Sequence, residues 1–214
     1  MSARVAVFTD PGSPGAFAAE PARRRLEWRY GIEWELHVCV TREHREEAWT
    51  DGELFAHVAT ESGMPISARD RVWGQSTIHA CRAVVAARMR WPDRADAFLR
   101  RLQVLIMAGE LADDSDTLEL AATQAGLPVA EIAAYCAEEE VEDALRADMA
   151  AAPGCPAFDE PAGLPRRPDP ESVAEVLEWA RFPLATAEVA AVCGRDVRGE
   201  LERVARFDAG YWSA

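Results

Sequence analysis

The residues best placed to do chemistry follow the first apolar run of the chain, in the stretch DPGSPGAF from Asp10 to Phe17. Ser13 is a favoured helix N-cap and Pro14 is favoured at the first helical position, so the stretch predicts a turn that opens a helix. Unpaired N–H groups and the helix dipole at such a position also favour an anion. The stretch is therefore either a structural cap or a binding site.

Cys155 and Pro156, in the stretch GCPAF, are the second candidate. The five cysteines are odd in number and scattered, with no CxxC pair, so neither a zinc site nor a disulfide framework is predicted. A lone thiol near a helix N-terminus can be reactive because its pKa is lowered there. The alternative for Cys155 is a loop cysteine selected for its size.

His79 is the third candidate, because it stands on an apolar helical segment and can face a cleft. Ordinary packing or partial exposure is the alternative for this histidine. The four histidines have no metal-ligand spacing, and no metal site is predicted. The acidic run DDSD, from Asp113 to Asp116, lacks the spacing and the glycine of a calcium loop, so we predict that it caps a helix.

The elements that must position these residues begin with a strand, a helix and a strand. Residues 4–9 are β-branched and aromatic, residues 14–30 have a helical pattern, and residues 32–40 alternate apolar and polar side chains. A helical crossover of this length favours parallel pairing of the two strands. Helical patterns then dominate up to about residue 152, and a proline-rich stretch follows. Two short helices near the C-terminus resemble a helix-turn-helix.

Charge and hydropathy exclude several classes of partner. The 214 residues carry a formal net charge of −14, so neither nucleic acid nor a negatively charged membrane surface is predicted as a partner. The N-terminus lacks the apolar core of a signal peptide, and no run approaches the roughly 20 apolar residues that span a bilayer. We therefore expect a cytoplasmic protein.

The order of elements resembles the DsbA-like thioredoxin superfamily, and within it the cytoplasmic FrnE-type branch. The segments STIHACRAVVAARMRW, LRRLQVLIMAGELADDSDTLELAATQAGL and ALRADMAAA are similar to that branch in order and spacing, and GCPAF falls where the family places its cis-proline loop. The resemblance implies an α/β fold with a thioredoxin-like core (1–41 and 152–182), a large all-helical insertion (42–151) and a small helical C-terminal extension (183–214). It also implies that Cys155 lies close to Ser13.

The redox members of that superfamily carry Cys-x-x-Cys where this chain has Ser13-Pro14-Gly15-Ala16. Disulfide exchange requires a thiolate that attacks sulfur, so conventional dithiol oxidoreductase chemistry is excluded at these positions. The pattern Asp-x-x-Ser-Pro-x-x-aromatic is instead similar to 2-hydroxychromene-2-carboxylate isomerases and kappa-class glutathione transferases. In that branch the serine hydroxyl points at the sulfur of a bound low-molecular-weight thiol.

The resemblance implies a non-redox isomerase or transferase that acts on a small thiol or thiol conjugate, in a biosynthetic pathway, with glutathione or mycothiol as the thiol. Two alternatives stay open: an inactive binding or adaptor protein that holds a protein partner, and a single-thiol redox protein that uses Cys155. A homodimer also stays open. The predicted catalytic residues are Ser13 and Cys155, and the predicted substrate-binding residues are Asp10, Pro14, Phe17, His79 and Pro156.

Overall fold

Two parallel strands form the start of the fold in the computed structural model, which describes residues 3–43, 52–68, 76–152, 161 and 163–214. Strand β1 (Arg4–Thr9) pairs with β2 (Glu33–Val38) along its whole length. The chain between them is helical, as the crossover requires. The predicted strand–helix–strand unit and its parallel pairing are confirmed.

The crossover helix is broken once, where the sequence had predicted a continuous helix. Helix α1 (Pro14–Ala18) ends at Ala19, and α2 (Glu20–Tyr30) follows directly. Pro21 explains the break, because proline has no N–H to bond the carbonyl of Phe17 and restricts the residue before it. Gly31 ends α2 in the left-handed conformation, with φ at 60°.

Six helices follow over the described residues between 52 and 152, in agreement with the predicted helical insertion. Residues 129–151 form two helices, which are separated by residues 136–138. The side chain of Asp114 accepts the N–H of Asp116 at 3.1 Å, so the predicted cap of the acidic run is confirmed. The helices are α3 (Gly52–Ser62), α4 (Ile78–Arg90), α5 (Pro92–Ala108), α6 (Ser115–Gln124), α7 (Val129–Tyr135) and α8 (Glu139–Ala151).

The C-terminal part contains strands as well as the predicted helices. Helices α9 (Val173–Trp179), α10 (Thr186–Cys193) and α11 (Arg198–Val204) are joined by an antiparallel sheet of order β3–β5–β4. The two short helices predicted within residues 183–214 are present as α10 and α11, and the three short strands are an addition that the sequence analysis did not predict. The strands are two or three residues long, too short to give a clear alternating pattern: β3 (Leu184–Ala185), β4 (Arg206–Asp208) and β5 (Tyr211–Ser213).

Thr186, the first residue of α10, does not cap that helix. Ala185 is the N-cap residue, and its N–H is accepted by the carboxylate of Glu188 at 2.7 Å. The hydroxyl of Thr186 instead accepts the indole N–H of Trp212 at 2.8 Å. This hydrogen bond fastens the last strand of the chain to the start of α10.

The apolar interior has two parts. The larger part joins β1 and β2 to the helices of the insertion, with Phe17, Val38 and Phe98 among its members. The smaller part joins α2 to the C-terminal helices through Trp28 and Val189, both essentially inaccessible to solvent. Helix α2 therefore contributes Trp28 to the smaller core.

A buried group of charges, here named the ion cluster, lies among α2, α5 and α10. Arg23 contacts Asp96 at 2.6 Å, and Arg24 contacts Glu20 at 2.6 Å. Arg100 and Glu188 meet at 2.5 Å. Burying a charge is costly unless it is paired, so these contacts fix the three helices relative to one another. The members are Glu20, Arg23, Arg24, Glu27, Asp96, Arg100 and Glu188.

Asp96 makes the ion cluster sensitive to acid. Burial favours the neutral acid, but Arg23 and Arg24 outweigh it and lower the pKa of Asp96 from 3.8 to about 2. A lowered folded-state pKa stabilises the protein above the unfolded-state value, and this stability is lost as the pH falls towards 2. Asp96→Asn should therefore lower the free energy of unfolding by about 2 kcal/mol at neutral pH and by almost nothing near pH 2.

Urea unfolding followed by circular dichroism at several pH values measures this difference. Asp93→Asn is the matched control, because Asp93 is an exposed acid on the same helix, three residues before Asp96. It should change stability little at any pH. A cost of Asp96→Asn that stays constant from pH 7 to pH 2 would contradict the assignment.

Candidate functional site

The loop after β1 is held by a fully buried carboxylate, that of Asp10. One oxygen accepts the N–H of Gly12 at 2.8 Å. The other accepts the N–H and hydroxyl of Thr41 at 2.8 and 2.5 Å, and the hydroxyl of Thr77 at 2.7 Å. Asp10 was predicted to bind substrate. With its surface covered and both oxygens occupied, it acts in this structure by positioning the loop.

Thr77 brings the start of α4 against this loop. It occupies the N-cap position of α4, and a Cβ atom on Gly12 would lie 2.5 Å from its methyl carbon. Any larger residue at position 12 would push α4 away from the loop. The pair of Gly12 and Thr77 therefore sets how closely the insertion approaches the strand–helix–strand unit.

Ser13 caps α1 as its sequence predicts. Its backbone is extended, and its Oγ accepts the N–H of Ala16 at 3.2 Å. Pro14 follows at the first helical position, and both residues are half-buried. A hydroxyl that accepts one hydrogen bond still has its own proton to donate. Ser13 can thus donate to a ligand atom without giving up its cap.

Phe17 is completely buried and forms part of the larger core. The guanidinium of Arg100 lies over its ring at 5.2 Å from the ring centre. The predicted contact between Phe17 and a substrate has no surface available in this structure. Its contribution is to anchor α1, and through α1 the position of Ser13.

His79 lies on the side of α4 that faces away from the Asp10 loop. Thr77 and Cys81 are four residues apart and share the face that contacts Asp10. His79 is two residues after Thr77, about 200° around a helix of 3.6 residues per turn. It lines a cavity of about 320 Å³ with Phe98, Leu118 and Ile132. The structure does not bring His79 and Ser13 together.

Two described cysteines near these features, Cys81 and Cys136, are poor nucleophiles. Burial, with the nearby charge of Asp10, raises the pKa of the Cys81 thiol well above its usual range. Burial also raises the pKa of Cys136, which lines the 320 Å³ cavity, to about 11. Thiolates are the reactive form of cysteine, so both thiols are expected to be inert at neutral pH. Cys155 and Pro156 lie outside the described residues, so their predicted place beside Ser13 stays a prediction.

A second cavity, of about 610 Å³, is lined by residues of α2, β2 and α5. Its lining includes Arg23, Asp96, Trp34 and Phe182, so the ion cluster forms part of its wall. None of the predicted site residues that the structure describes lines it. Within the described ranges, no group of three or more His, Cys, Asp or Glu side chains could hold a metal ion.

Sequence reasoning missed Thr41 and Thr77, the two residues that complete the Asp10 network. Thr41 follows β2 and Thr77 precedes α4, so they lie 31 and 67 positions from Asp10. Their partner is set by the tertiary fold. The available local signal was a threonine next to the end of a strand or the start of a helix. Threonine is common at such positions and caps or hydrogen-bonds there in several ways, so the signal does not identify Asp10 as the partner.

The solved structures that resemble this chain define its class, which is the DsbA-like thioredoxin fold. The predicted fold class, an α/β thioredoxin-like core with a helical insertion, is thereby confirmed. No protein-family model and no curated protein matches the chain. Identities of 15 to 21% in the three structures described next mean that the likeness establishes the fold alone.

Three of these structures have comparable coverage. A Nitrosomonas europaea protein provisionally named a protein disulfide isomerase has a TM-score of 0.59 and 15% identity, over 70% of this chain and 78% of its own. A Streptomyces coelicolor protein provisionally named a DsbA oxidoreductase has a TM-score of 0.55 and 21% identity, over 68% of this chain and 72% of its own. The cytosolic disulfide reductase DsbM from Pseudomonas aeruginosa, solved with glutathione, has a TM-score of 0.53 and 19% identity, over 68% of this chain and 77% of its own.

No helix within the described ranges combines the length and the apolar character that are needed to cross a bilayer.

Proposed function

We propose that this chain binds a low-molecular-weight thiol or thiol conjugate at the Ser13 loop and acts on it as an isomerase or transferase. The observation that carries the proposal is the hydroxyl of Ser13, which caps α1 through Ala16 and keeps a proton to donate. A sulfur anion at this position would accept a hydrogen bond from the Ser13 hydroxyl. It would also be stabilised by the positive end of the helix dipole.

Two further facts support the same site. Ser13 and Ala16 carry no sulfur, so these two positions cannot carry out the thiol–disulfide exchange of a cysteine pair. The disulfide reductase DsbM, which shares the fold, was solved with glutathione. The proposal also includes a likeness to the FrnE-type branch and to the serine-containing isomerases. It includes a cytoplasmic location as well. Glutathione and mycothiol are the thiols it names.

A thermal shift titration with glutathione and mycothiol tests the proposal. A thiol present at about one hundred times its dissociation constant should stabilise the folded protein by about 2.7 kcal/mol. Ser13→Ala removes a hydrogen bond to a charged sulfur, which should weaken binding about tenfold or more. At the same thiol concentration the variant should then gain only about 1.4 kcal/mol.

The matched control is Ser172→Ala. Ser172 caps α9 with the same geometry as Ser13, its Oγ accepting the N–H of Glu175 at 3.2 Å. Each variant should lose about 1 kcal/mol of intrinsic stability with its cap, but Ser172→Ala should keep the full thiol-induced gain. An equal gain in Ser13→Ala and wild type would remove Ser13 from the proposed site.

The same titration separates the alternatives. Glutathione disulfide exchanges with a cysteine thiolate to give a mixed disulfide and one released glutathione, so stabilisation by glutathione disulfide that is lost in Cys155→Ser would favour the single-thiol redox protein. No stabilisation by any thiol would favour the inactive adaptor that holds a protein partner.

A further inference from the structure

The outer strand of the C-terminal sheet is open to solvent. Strand β4 stands at the edge of the order β3–β5–β4, and each of its three residues is exposed. Phe207 is 56% exposed, and Val204 just before the strand is 53% exposed. An open strand edge that carries large apolar side chains is a template for pairing with another strand.

The hairpin geometry fixes which backbone groups point outwards. β4 and β5 are joined by Ala209 and Gly210, whose φ angles of 47° and 96° define a type I′ turn. In such a hairpin the residues that flank the turn, Asp208 and Tyr211, form the hydrogen-bonded pair. The next pair, Phe207 with Trp212, is then the non-hydrogen-bonded one, so the N–H and C=O of Phe207 point to the open edge.

The sequence of this strand is complementary to itself. When two copies pair antiparallel about Phe207, each Phe207 exchanges two backbone hydrogen bonds with its counterpart. Arg206 of each copy then lies opposite Asp208 of the other, which gives two cross-strand pairs of opposite charge. A twofold axis requires this kind of self-complementary patch.

We propose that β4 is the contact of a symmetric homodimer, in which two copies join their three-stranded sheets into one six-stranded sheet. Apolar contact between the two Phe207 rings and the neighbouring Val204 side chains adds to the strand pairing. Three residues bury much less than the roughly 1,600 Å² of a standard interface, so the dimer is a weak, concentration-dependent one.

Sedimentation velocity from about 1 µM to about 1 mM protein tests the proposal, which requires reversible dimerisation of the wild type in the micromolar range or above. Arg206→Asp places two like-charged pairs across the twofold axis, and Asp208→Arg does the same with the opposite sign. Each single variant should raise the dissociation constant about tenfold or more. Both side chains are exposed, so the variants should keep the wild-type circular dichroism and melting temperature.

Charge exchange supplies the decisive controls. The double variant Arg206→Asp/Asp208→Arg restores both opposite-charge pairs and should dimerise like the wild type. An equimolar mixture of the two single variants should form a heterodimer, since each aspartate then lies opposite an arginine. A wild type that stays monomeric throughout, a dimer indifferent to Arg206→Asp, or a mixture that stays monomeric would each overturn the proposal.

Discussion

Replacing Glu188 with alanine should lower the free energy of unfolding by about 3 to 5 kcal/mol. The Glu188 side chain is fully buried, contacts Arg100 at 2.5 Å and accepts the N–H of Ala185. Its removal leaves the guanidinium of Arg100 buried without that carboxylate. Denaturant unfolding followed by tryptophan fluorescence measures the loss.

A double variant separates the cost of the lone charge from the loss of packing. Arg100 is enclosed by the rings of Phe17, Phe182 and Tyr211, whose centres lie 5.2 to 5.4 Å from its guanidinium. An unbranched apolar side chain suits such a site, so Arg100→Met should recover a large part of the stability lost in Glu188→Ala. If Glu188→Ala alone costs under 1 kcal/mol, this ion pair does not hold α10 in place.

Replacing Asp10 with alanine should cost about 3 kcal/mol of folding stability and should also abolish thiol stabilisation. Four donors from Gly12, Thr41 and Thr77 share this carboxylate, and unsatisfied buried donors cost about 1 to 3 kcal/mol each. Without Asp10 the Ser13 loop loses its tie to α4. Urea unfolding, and the glutathione titration on the same samples, measure both effects.

The control for Asp10→Ala is a pair of substitutions at Thr77. Thr77→Ser keeps the hydroxyl. Its cost in folding stability should be little more than that of the lost methyl burial, which is about 0.8 kcal/mol. Thr77→Val keeps the shape but removes the donor to Asp10, and should cost about 1 to 2 kcal/mol. Equal costs for serine and valine would show that the hydrogen bond to Asp10 contributes nothing measurable.

Local patterns predicted the start of the fold because its signals are strong and close in sequence. The β-branched residues of β1, the cap and proline at Ser13 and Pro14, and Gly31 in the left-handed conformation each specify their own element. Parallel pairing then follows from the crossover. The candidate loop was found for the same reason, although its chemistry depends on neighbours that the sequence does not identify.

The features that sequence reasoning missed depend on long-range contacts or on very short elements. The segment EPARRRLEWRY of α2 is dominated by charge, and such a helix would ordinarily be solvated. It is buried because α5 and α10 supply opposite charges. The hairpin from Arg206 to Ser213 was missed because its strands have three residues each, although the pair Ala209-Gly210 was a usable turn signal.

The ion cluster also has a consequence for the order in which the chain assembles. Arg24 lies within 3.9 Å of Glu188, a residue 164 positions later in the sequence. During synthesis, α2 leaves the ribosome long before α10 exists, so its arginines cannot yet receive the last of their carboxylates. Contacts of such high sequence separation form late, and a domain that needs them stays incomplete until the segment that supplies them has been translated. The segment around Glu188 therefore completes the fold of the first thirty residues.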